Sequence, residues 1–365
     1  MKPSTRRSML QLLVIAGALT AARLAFAGEP SIHDAVQEAL QGMEIQPLAE
    51  EPVWAKFKSP PVFTFVWMSD FHLDGSRLEL VKQAFRYVDR EVAAHFVMIT
   101  GDNNAFAPAF EYQGRVPSVT LRRQIFMQRF LDRNLRTPYV IIPGDDWPQD
   151  FEKVFGAFQF SFDYGGMHFL FTAPDRCTYG VEGRAVFDEP TWTWMREDLK
   201  RNKDRPTLFM MHETIAPPSF LDADKTRKML EEHPNVIASF CGHLHADVQF
   251  QIGGLKYLVC PGLGLNPRHG FKVVKVYREA LILRTVEYNA EKRQFEKVMK
   301  WQRVDIPDLV QARLHEPKDR RFQKQNYSEL TSHPRRSDPQ LIERSLELVG
   351  PLIRFLGERV ISTEP

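Results

Sequence analysis

Hydrophobic and polar residues are distributed along this chain in a pattern that predicts alternating strands and helices. Five apolar runs rich in Val, Ile, Phe and Met have the length of buried strands. Between the first two runs, Val81, Phe85 and Val88 recur at helical spacing, which predicts a helix with one buried face. This alternation predicts an α/β domain. The five runs are 62–68, 96–100, 139–142, 208–211 and 236–241.

Further apolar runs predict a hairpin, one helix and a group of later strands. Runs 160–164 and 167–172 flank Gly165-Gly166, which is typical of a hairpin. Pro190 is suited to the first position of the helix that follows it. Four later runs are expected to form consecutive antiparallel strands, in a second sheet that packs on the first. These runs are 248–252, 255–259, 271–277 and 281–288.

The first 27 residues predict an export signal that is not part of the fold. A charged start with Arg6 and Arg7 precedes an apolar run at 10–22, and Ala25-Phe26-Ala27 resembles a cleavage site. The two arginines resemble a twin-arginine signal, so we expect a protein exported to the periplasm. The alternative is an uncleaved anchor, but the run is shorter than the roughly 20 apolar residues of a spanning helix. We expect no transmembrane helix in the mature chain.

Four segments are expected along the chain. They are a signal peptide at 1–27, an N-terminal extension at 28–60, a central α/β domain at 61–312, and a C-terminal segment at 313–365. The last segment begins with a basic stretch, which is typical of solvated chain. Asp338-Pro339 then predicts the start of a helix with an apolar stripe, which we expect to pack on its own domain. Its alternatives are a partner protein or a membrane face.

Composition limits the classes of partner. Hydrophobic residues make up 43% of the 365 residues, enough for a large core. A formal net charge of +2 gives no general attraction to nucleic acid or to an acidic membrane, so we expect no nucleic-acid partner.

The three cysteines give no sign of a disulfide. Cys241 and Cys260 end apolar runs, and Cys177 lies in a predicted loop. We therefore predict no disulfide and no catalysis by a thiol.

Polar side chains follow each of the five runs, where each predicted strand ends. In an open α/β sheet, the carboxyl ends of parallel strands meet at one edge, and ligands bind there. We therefore expect these side chains to converge, although they are far apart in the sequence. They are Asp70 and His72, Asp102, Asp145 and Asp146, His212, and His243 and His245.

The order and spelling of these segments resemble the calcineurin-like metallophosphoesterase superfamily. Its signature runs Asp-x-His, Gly-Asp, Gly-Asn-His, a single His, and Gly-His-x-His, and the resemblance covers roughly residues 61–288. It implies a four-layer αββα sandwich of two mixed β-sheets flanked by helices. The matching residues are Asp70-Phe71-His72, Gly101-Asp102, Gly144-Asp145-Asp146, His212 and Gly242-His243-Leu244-His245.

The resemblance also implies a site for two divalent metal ions. Asp102 would bridge the ions; Asp70, His72 and His245 would complete one, and Asp145, His212 and His243 the other. Two such ions about 3.5–4 Å apart can hold a bridging hydroxide for attack on phosphorus. Carboxylate and imidazole ligands without thiolate suit Mn, Fe, Zn or Co, and they do not distinguish among these metals.

One segment departs from the family pattern. Asp145 and Asp146 stand where the family has Asn and His. Asp145 keeps an oxygen ligand but adds a negative charge. The missing His would help the leaving group take a proton, and such help is typically worth ~10²–10⁴-fold in rate. Asp146 could supply the acid itself, the substrate could need none, or turnover could be weak; a solvated turn is the plain alternative.

Three further residues are candidates for substrate contact. Asn103 begins a loop beside the expected metal site, and Arg268 and His269 lie between two predicted strands. A packed loop and a solvated turn are the respective alternatives. The sequence thus predicts a metal-dependent phosphoesterase that hydrolyses a phosphate mono- or diester of a small substrate through a metal-bridging hydroxide. The alternatives are a metal-binding protein of the same fold with weak or no catalysis, and a nuclease.

Overall fold

A computed structural model describes most of the region between residues 59 and 330. The predicted signal peptide and the predicted helix after Asp338 lie outside the described residues. The described residues are 44–46, 48–49, 59–146, 148–177, 185–215, 220, 222–264, 268–319, 322, 325–330 and 336–337.

The strands and helices follow the apolar runs closely. The strands are β1 (Glu44–Gln46), β2 (Phe63–Met68), β3 (Phe96–Thr100), β4 (Tyr139–Ile142), β5 (Phe160–Tyr164), β6 (Met167–Phe171), β7 (Arg176–Cys177), β8 (Ala185–Val186), β9 (Thr207–Met210), β10 (Val236–Cys241), β11 (Val248–Ile252), β12 (Leu255–Val259), β13 (Gly270–Val276), β14 (Ala280–Asn289), β15 (Gln294–Asp305), β16 (Gln325–Glu329) and β17 (Arg336–Ser337). The helices are α1 (Leu78–Glu91), α2 (Val119–Asn134), α3 (Phe151–Phe155), α4 (Glu189–Arg201), α5 (Ala223–Glu231) and α6 (Asp308–Gln311).

Two mixed sheets form the centre of the fold. One has eight strands in the order β1-β11-β12-β10-β9-β6-β5-β16, and the other has six in the order β15-β14-β13-β2-β3-β4. Their inner faces pack together in one aromatic-rich core, where the rings of Trp67 and Phe240 stack with centroids 4.5 Å apart. Successive side chains of a strand point to opposite faces of the sheet. Because the strand runs are apolar at successive positions, the outer faces of the sheets are apolar as well.

Helices cover both outer faces. On the six-stranded sheet, Phe85 of α1 and Leu131 of α2 pack in one cluster with Val97 and Ile99 of β3. On the eight-stranded sheet, Trp192 of α4 packs in another cluster with strand residues. The predicted four-layer αββα sandwich is therefore confirmed. No helix within the described residues combines the length and the apolar character needed to cross a membrane.

The assignment of the later runs to a single second sheet was wrong. β11 and β12 belong to the eight-stranded sheet, where β12 pairs in parallel with β10. β13 and β14 belong to the six-stranded sheet, where β13 pairs with β2. The period of two in a strand specifies which side chains are buried, but both sheets offer an apolar inner face. The pattern therefore could not show where the chain crosses between the sheets.

Residues outside the predicted central domain at 61–312 also join the sandwich. β1 pairs with β11 at one edge, and β16 pairs with β5 at the other. Phe322 packs its ring 4.7 Å from that of Phe96, in the core between the sheets. The early part of the C-terminal segment is thus anchored by an apolar side chain and a strand ladder, contrary to the expectation of solvated chain. The domain boundaries themselves remain a prediction.

Candidate metal centre

The candidate ligands lie in loops that follow strands of both sheets. β2, β3 and β4 of one sheet and β9 and β10 of the other end near the same place, because the two sheets are stacked. The expectation that all the ligands lie at the edge of one sheet was therefore wrong, because the edges of two sheets contribute them. The seven candidate ligands nevertheless form two compact groups, each with ligand atoms within 4.8 Å of one another: Asp70, His72, Asp102 and His245, and Asp145, His212 and His243.

The backbone at these loops is strained. A non-glycine residue with positive φ is uncommon, and such conformations cost of order 1–3 kcal/mol and cluster at functional sites. Of the eight non-glycine residues with positive φ in the described chain, five are candidate ligands. These five are Asp70 (54°), His72 (39°), Asp102 (47°), His243 (66°) and His245 (48°). The observed strain supports a functional role for this site.

The glycines beside these ligands are required by space. Gly101 has a φ of 101°, and a Cβ added there would collide with the ring of His212. A Cβ at Gly144 would collide with the carboxylate of Asp102. The small residues therefore allow the loops of the two sheets to approach closely.

The first group surrounds a small space with imidazole and carboxylate atoms. Nε2 of His72 lies 3.1 Å from Nε2 of His245, which in turn lies 3.2 Å from Oδ1 of Asp70. Oδ2 of Asp102 lies 3.4 Å from Nε2 of His72. The backbone N–H of His243 donates to Oδ1 of Asp70 at 3.0 Å, which orients that carboxylate.

The second group is joined to the first by Asp102. Oδ1 of Asp145 lies 3.0 Å from Nε2 of His212 and 3.2 Å from Nδ1 of His243. Nε2 of His212 also lies 3.3 Å from Oδ2 of Asp102. A single oxygen of Asp102 is thus close to a histidine of each group, as a ligand shared by two cations would be.

Two buried atoms show that the site fits cations. Nδ1 of His212 lies 2.8 Å from the carbonyl oxygen of Thr100, and because a carbonyl only accepts, Nδ1 carries the hydrogen. Nε2 then faces the site, where it is buried without a hydrogen-bond partner, and in the neutral ring it offers its lone pair to a cation. Oδ2 of Asp70 is also buried without a hydrogen-bond partner. Buried polar atoms are normally satisfied, and metal-binding histidines commonly donate their other ring N–H in this way.

The electrostatics reflect several buried carboxylates and imidazoles in contact. Burial raises the pKa of Asp70, but the hydrogen bond from His245 and the charges of nearby histidines lower it by a larger amount. The pKa of Asp70 therefore lies below its usual range. Burial lowers the pKa of His243, but Asp145 raises it to about 9. Burial likewise opposes the charged form of His212, yet Asp102 and Asp145 raise its pKa well above its usual value. Protons would therefore compete with cations for the imidazoles of His212 and His243.

Asp146 is placed differently from the seven ligands. Its backbone N–H donates to Oδ1 of Asp102 at 3.0 Å, and its Oδ2 lies 3.5 Å from Nδ1 of His72. The side chain is 36% exposed, so it faces the opening of the site. Burial, and then the charges of Asp102 and Asp145, raise the pKa of Asp146 to about 7. Bound cations would lower the pKa of Asp146, because a nearby positive charge favours the carboxylate.

The three predicted substrate contacts differ in position. Asn103 is buried, donates to the carbonyl oxygen of Ile142 at 2.9 Å, and lines a small cavity with Asp146. Arg268 is exposed. His269 holds its ring by a 2.8 Å contact between Nδ1 and the carbonyl oxygen of Leu263, and burial lowers its pKa. The described residues show no hydrogen bond or ion pair between His269 and the seven ligands.

Sequence reasoning missed a buried charge cluster that supports the last two ligands. Lys272 of β13 is 1% exposed; its ammonium contacts Asp247 and donates to Oγ1 of Thr285 at 2.8 Å. Thr285 of β14 donates to Oδ2 of Asp247 at 2.7 Å. Asp247 follows His245 by two residues, so the six-stranded sheet anchors the ligand loop of the other sheet. A lysine within an apolar strand run was the available signal, because such a charge needs a partner.

The comparisons with known proteins agree with this geometry. The family described as calcineurin-like phosphoesterase matches residues 63–247, just over half of the chain. The chain therefore belongs to the calcineurin-like phosphoesterase family. Together with the two groups of Asp and His side chains, the family supports a metal-dependent phosphoesterase that binds divalent metal ions. Among curated proteins, no sequence match was found.

Solved structures share the fold at low sequence identity. A dimetal phosphatase from Danio rerio is 12% identical, covers 68% of this chain and 100% of its own, and has a TM-score of 0.52. GAP50, the anchor in the inner membrane complex of Plasmodium, is 14% identical, covers 74% of this chain and 97% of its own, and has a TM-score of 0.47. The first similarity supports the fold, and the second is too low to support a conclusion.

Proposed function

We propose that this protein hydrolyses a phosphate monoester or diester of a small substrate with the help of two divalent cations. The observation that carries the proposal is the position of Asp102, whose Oδ2 lies 3.4 Å from a ring nitrogen of His72 and 3.3 Å from one of His212. Two cations in such a site would activate water as hydroxide and stabilise both the attacking and the leaving oxygens.

The residues of the chain divide the work of holding the cations. Asp70, His72 and His245 would hold one, Asp145, His212 and His243 the other, and Asp102 both. The donor set of carboxylates and imidazoles without thiolate fits Mn, Fe, Zn or Co. Three ligand carboxylates in one buried site also offset much of the charge of two divalent cations, which favours binding.

Asp146 is the proposed proton donor to the leaving group. The assignment rests on its place, directly after Asp145, at the open side of the site and 3.5 Å from Nδ1 of His72. A carboxyl group that delivers a proton must reach the substrate, and Asp146 is more exposed than Asp70 or Asp102. Asn103, which lines the same cavity, is proposed to contact the substrate beside it.

A second candidate function follows from the same residue. If the carboxyl of Asp146 cannot donate a proton, the site would hold cations with weak or no turnover, as a metal-binding protein of this fold. The Asp145-Asp146 pair in place of Asn and His favours this alternative.

We also propose export to the periplasm, supported by the charged, apolar and A-x-A segments of residues 1–27. Export of a folded reporter fused to these residues should stop when Arg6 and Arg7 are replaced by lysine.

The test is hydrolysis of aryl phosphate monoesters and diesters by the protein without residues 1–27, with Mn, Zn, Fe, Co or Mg added. Metal-dependent turnover that is lost in Asp102→Asn would support a phosphoesterase and identify the ester class. Bound metal without turnover of any ester would favour the metal-binding alternative. Turnover of polynucleotide in preference to small esters would indicate a nuclease instead.

A further inference from the structure

A hairpin in the connection between β3 and α2 exposes apolar side chains. We define hairpin 110–119 as the segment from Phe110 to Val119. Within the described residues, five large hydrophobic side chains are exposed, and three of them lie in this segment. These three are Tyr112 (37% exposed), Val116 (59%) and Val119 (48%); the other two are Met299 and Leu309.

The hairpin has a defined turn at its tip. The backbone N–H of Tyr112 donates to the carbonyl oxygen of Arg115 at 2.8 Å, and the reverse bond is 3.3 Å. The two residues between them, Gln113 and Gly114, have φ values of 53° and 75°. Positive φ at both positions is the requirement of the tight turns that suit two-residue hairpins. The exposed side chains are thus presented by an ordered segment.

A row of arginines lies beside the hairpin. Arg122, Arg129 and Arg133 are seven and four residues apart on α2, so they share one face of the helix. We call them the arginine stripe. The guanidinium of Arg129 lies 5.0 Å from the ring centre of Phe110 and 5.6 Å from that of Tyr112, which joins the stripe to the hairpin.

The charge of this surface is not balanced by its neighbours. Residues 111–134 contain five arginines and two acidic residues, whereas the whole chain has a net charge of only +2. One of the acids, Asp132, accepts a hydrogen bond from Tyr139, and the other, Glu111, is exposed on the hairpin. Within the described residues, Arg115 and the arginine stripe form no ion pair with a carboxylate. Asp150, which accepts hydrogen bonds from Ser118 and Thr120, is paired with Lys153 and so adds no net charge. The surface therefore combines exposed apolar groups with an excess of positive charge.

Residues 103–109 connect the metal-binding loop at Asp102 to the hairpin. Asn103, the residue after Asp102, accepts a hydrogen bond at 3.2 Å from the N–H of Leu73, the residue after His72. The N–H groups of Ala105 and Phe106 donate to the carbonyl oxygen of Leu73 at 2.9 and 3.0 Å. These bonds join the segment that leads into the hairpin to the loop that holds Asp70 and His72. Gln124 of α2, the helix that carries the arginine stripe, lines the same small cavity as Asp146, so this helix lies beside the site.

We propose that hairpin 110–119 and the arginine stripe dock on an anionic lipid bilayer and present the metal centre to a phosphoester carried by a lipid. The lipid phosphoester rests on the proposed function; the docking does not. Guanidinium groups bind lipid phosphates, while exposed valine and tyrosine side chains enter the boundary between headgroups and acyl chains. Nucleic acid would use the arginines but would leave the two exposed valines in water.

The test measures binding to vesicles by the protein from Gly28 onward, so that the apolar run 10–22 does not itself bind lipid. Vesicles of phosphatidylglycerol with phosphatidylethanolamine are compared with neutral phosphatidylcholine vesicles. One variant combines Arg115→Gln with Arg133→Gln, and another combines Val116→Ser with Val119→Ser. The matched control combines Met299→Ser with Leu309→Ser, the two exposed apolar residues that lie elsewhere.

We expect binding to anionic vesicles and none to neutral ones. At about 1 kcal/mol for each arginine near an anionic surface, the arginine variant should bind about 30-fold more weakly. The valine variant should bind about tenfold more weakly or worse, because apolar burial is lost, and the control should bind as the parent does. Unchanged binding in both test variants would overturn the proposal. So would binding to a DNA duplex that the arginines support and the valines do not affect.

Turnover of a soluble aryl phosphate separates the two proposals. If the variants keep this turnover but no form binds vesicles, the docking fails and the phosphoesterase stands. If vesicle binding follows the expected order without turnover of any ester, the docking stands and the proposed catalysis fails. An equal thermal unfolding midpoint in all variants would show that the substitutions leave the fold intact.

Discussion

Asp146 and Asp102 are joined by a hydrogen bond of 3.0 Å from the backbone N–H of the first to Oδ1 of the second. The bond comes from the main chain, so the side chain of Asp146 is not needed to orient Asp102. The two parts of Asp146 therefore have separable roles: its backbone supports the shared ligand, and its carboxyl faces the opening of the site. A substitution can remove the second role and keep the first.

Asp146→Asn should lower kcat by ~10²–10⁴-fold while the metal content per chain stays unchanged, because a general acid is removed and the backbone bond is kept. Steady-state kinetics and elemental analysis of the same preparation check this. Asp132→Asn, which changes a carboxyl on the surface of α2, is the control and should leave kcat as it was. Loss of metal in Asp146→Asn would contradict the separation of roles.

His212→Ala should remove about one of two bound metal ions from each chain and abolish turnover. The ring supplies Nε2 to the second group, while its Nδ1 contact with Thr100 at 2.8 Å fixes that orientation. His245→Ala should have the same effect on the first group. Elemental analysis after dialysis measures the stoichiometry. Full metal content in either variant would show that the two groups are not separate cation sites.

Thr285→Val should weaken metal binding through the cluster that anchors the ligand loop. The change removes two hydrogen bonds, the one that Thr285 donates to Asp247 and the one that it accepts from Lys272. The first of these acts on the ligand loop, and one such bond contributes about 0.5–1.5 kcal/mol. We expect a similar loss in metal affinity, roughly 2–13-fold, measured by titration calorimetry. Thr226→Val, which removes a buried hydroxyl on α5 that donates to the carbonyl oxygen of Asp222, is the matched control. It should lower stability without changing metal affinity, and equal losses in both variants would refute the anchoring role.

The stabilising effect of His168 should depend on pH. Its Nδ1 and Nε2 lie 2.7 Å from Asp163 and from Asp198, respectively. Burial lowers the pKa of His168, but the two carboxylates raise it above its usual value. Because the folded pKa exceeds the unfolded value of about 6.5, the contribution is fully present below that pH and is lost as pH rises through the folded pKa.

Urea unfolding of the parent and of His168→Asn at several pH values between about 6 and 10 measures this contribution. The difference in the free energy of unfolding should shrink as pH rises. At acidic pH the partner Asp198 takes up a proton instead. Burial raises the pKa of Asp198, but His168 lowers it by a larger amount, so the folded pKa lies below the usual value. The contribution of Asp198 to the free energy of unfolding is therefore lost as pH falls below about 4. A difference that is constant across the alkaline range would show that His168 is neutral in the folded protein.

Much of the local structure could be predicted from the sequence because it depends on neighbours along the chain. The run 62–68 became Phe63–Met68, and the run 96–100 became a strand with the same bounds, since apolar runs of this length favour buried strands. The polar residues after these runs marked where loops begin. The order of the motifs was sufficient to predict the fold, because the chain order of a family's motifs reflects its topology.

The tertiary structure decided whatever depends on distances between residues far apart in the chain. β11 and β12 joined one sheet and β13 and β14 the other, which their similar apolar patterns could not distinguish. The partners of Lys272 became known only when two sheets brought it to Asp247 and Thr285. Likewise, a net charge of +2 concealed an arginine surface, because a sum over the chain contains no positions. Hydrophobic periodicity is a local property, so it can be recognised in the sequence. Strand pairing, side-chain burial and interactions between charges depend on distances in space, so they are known only from the fold.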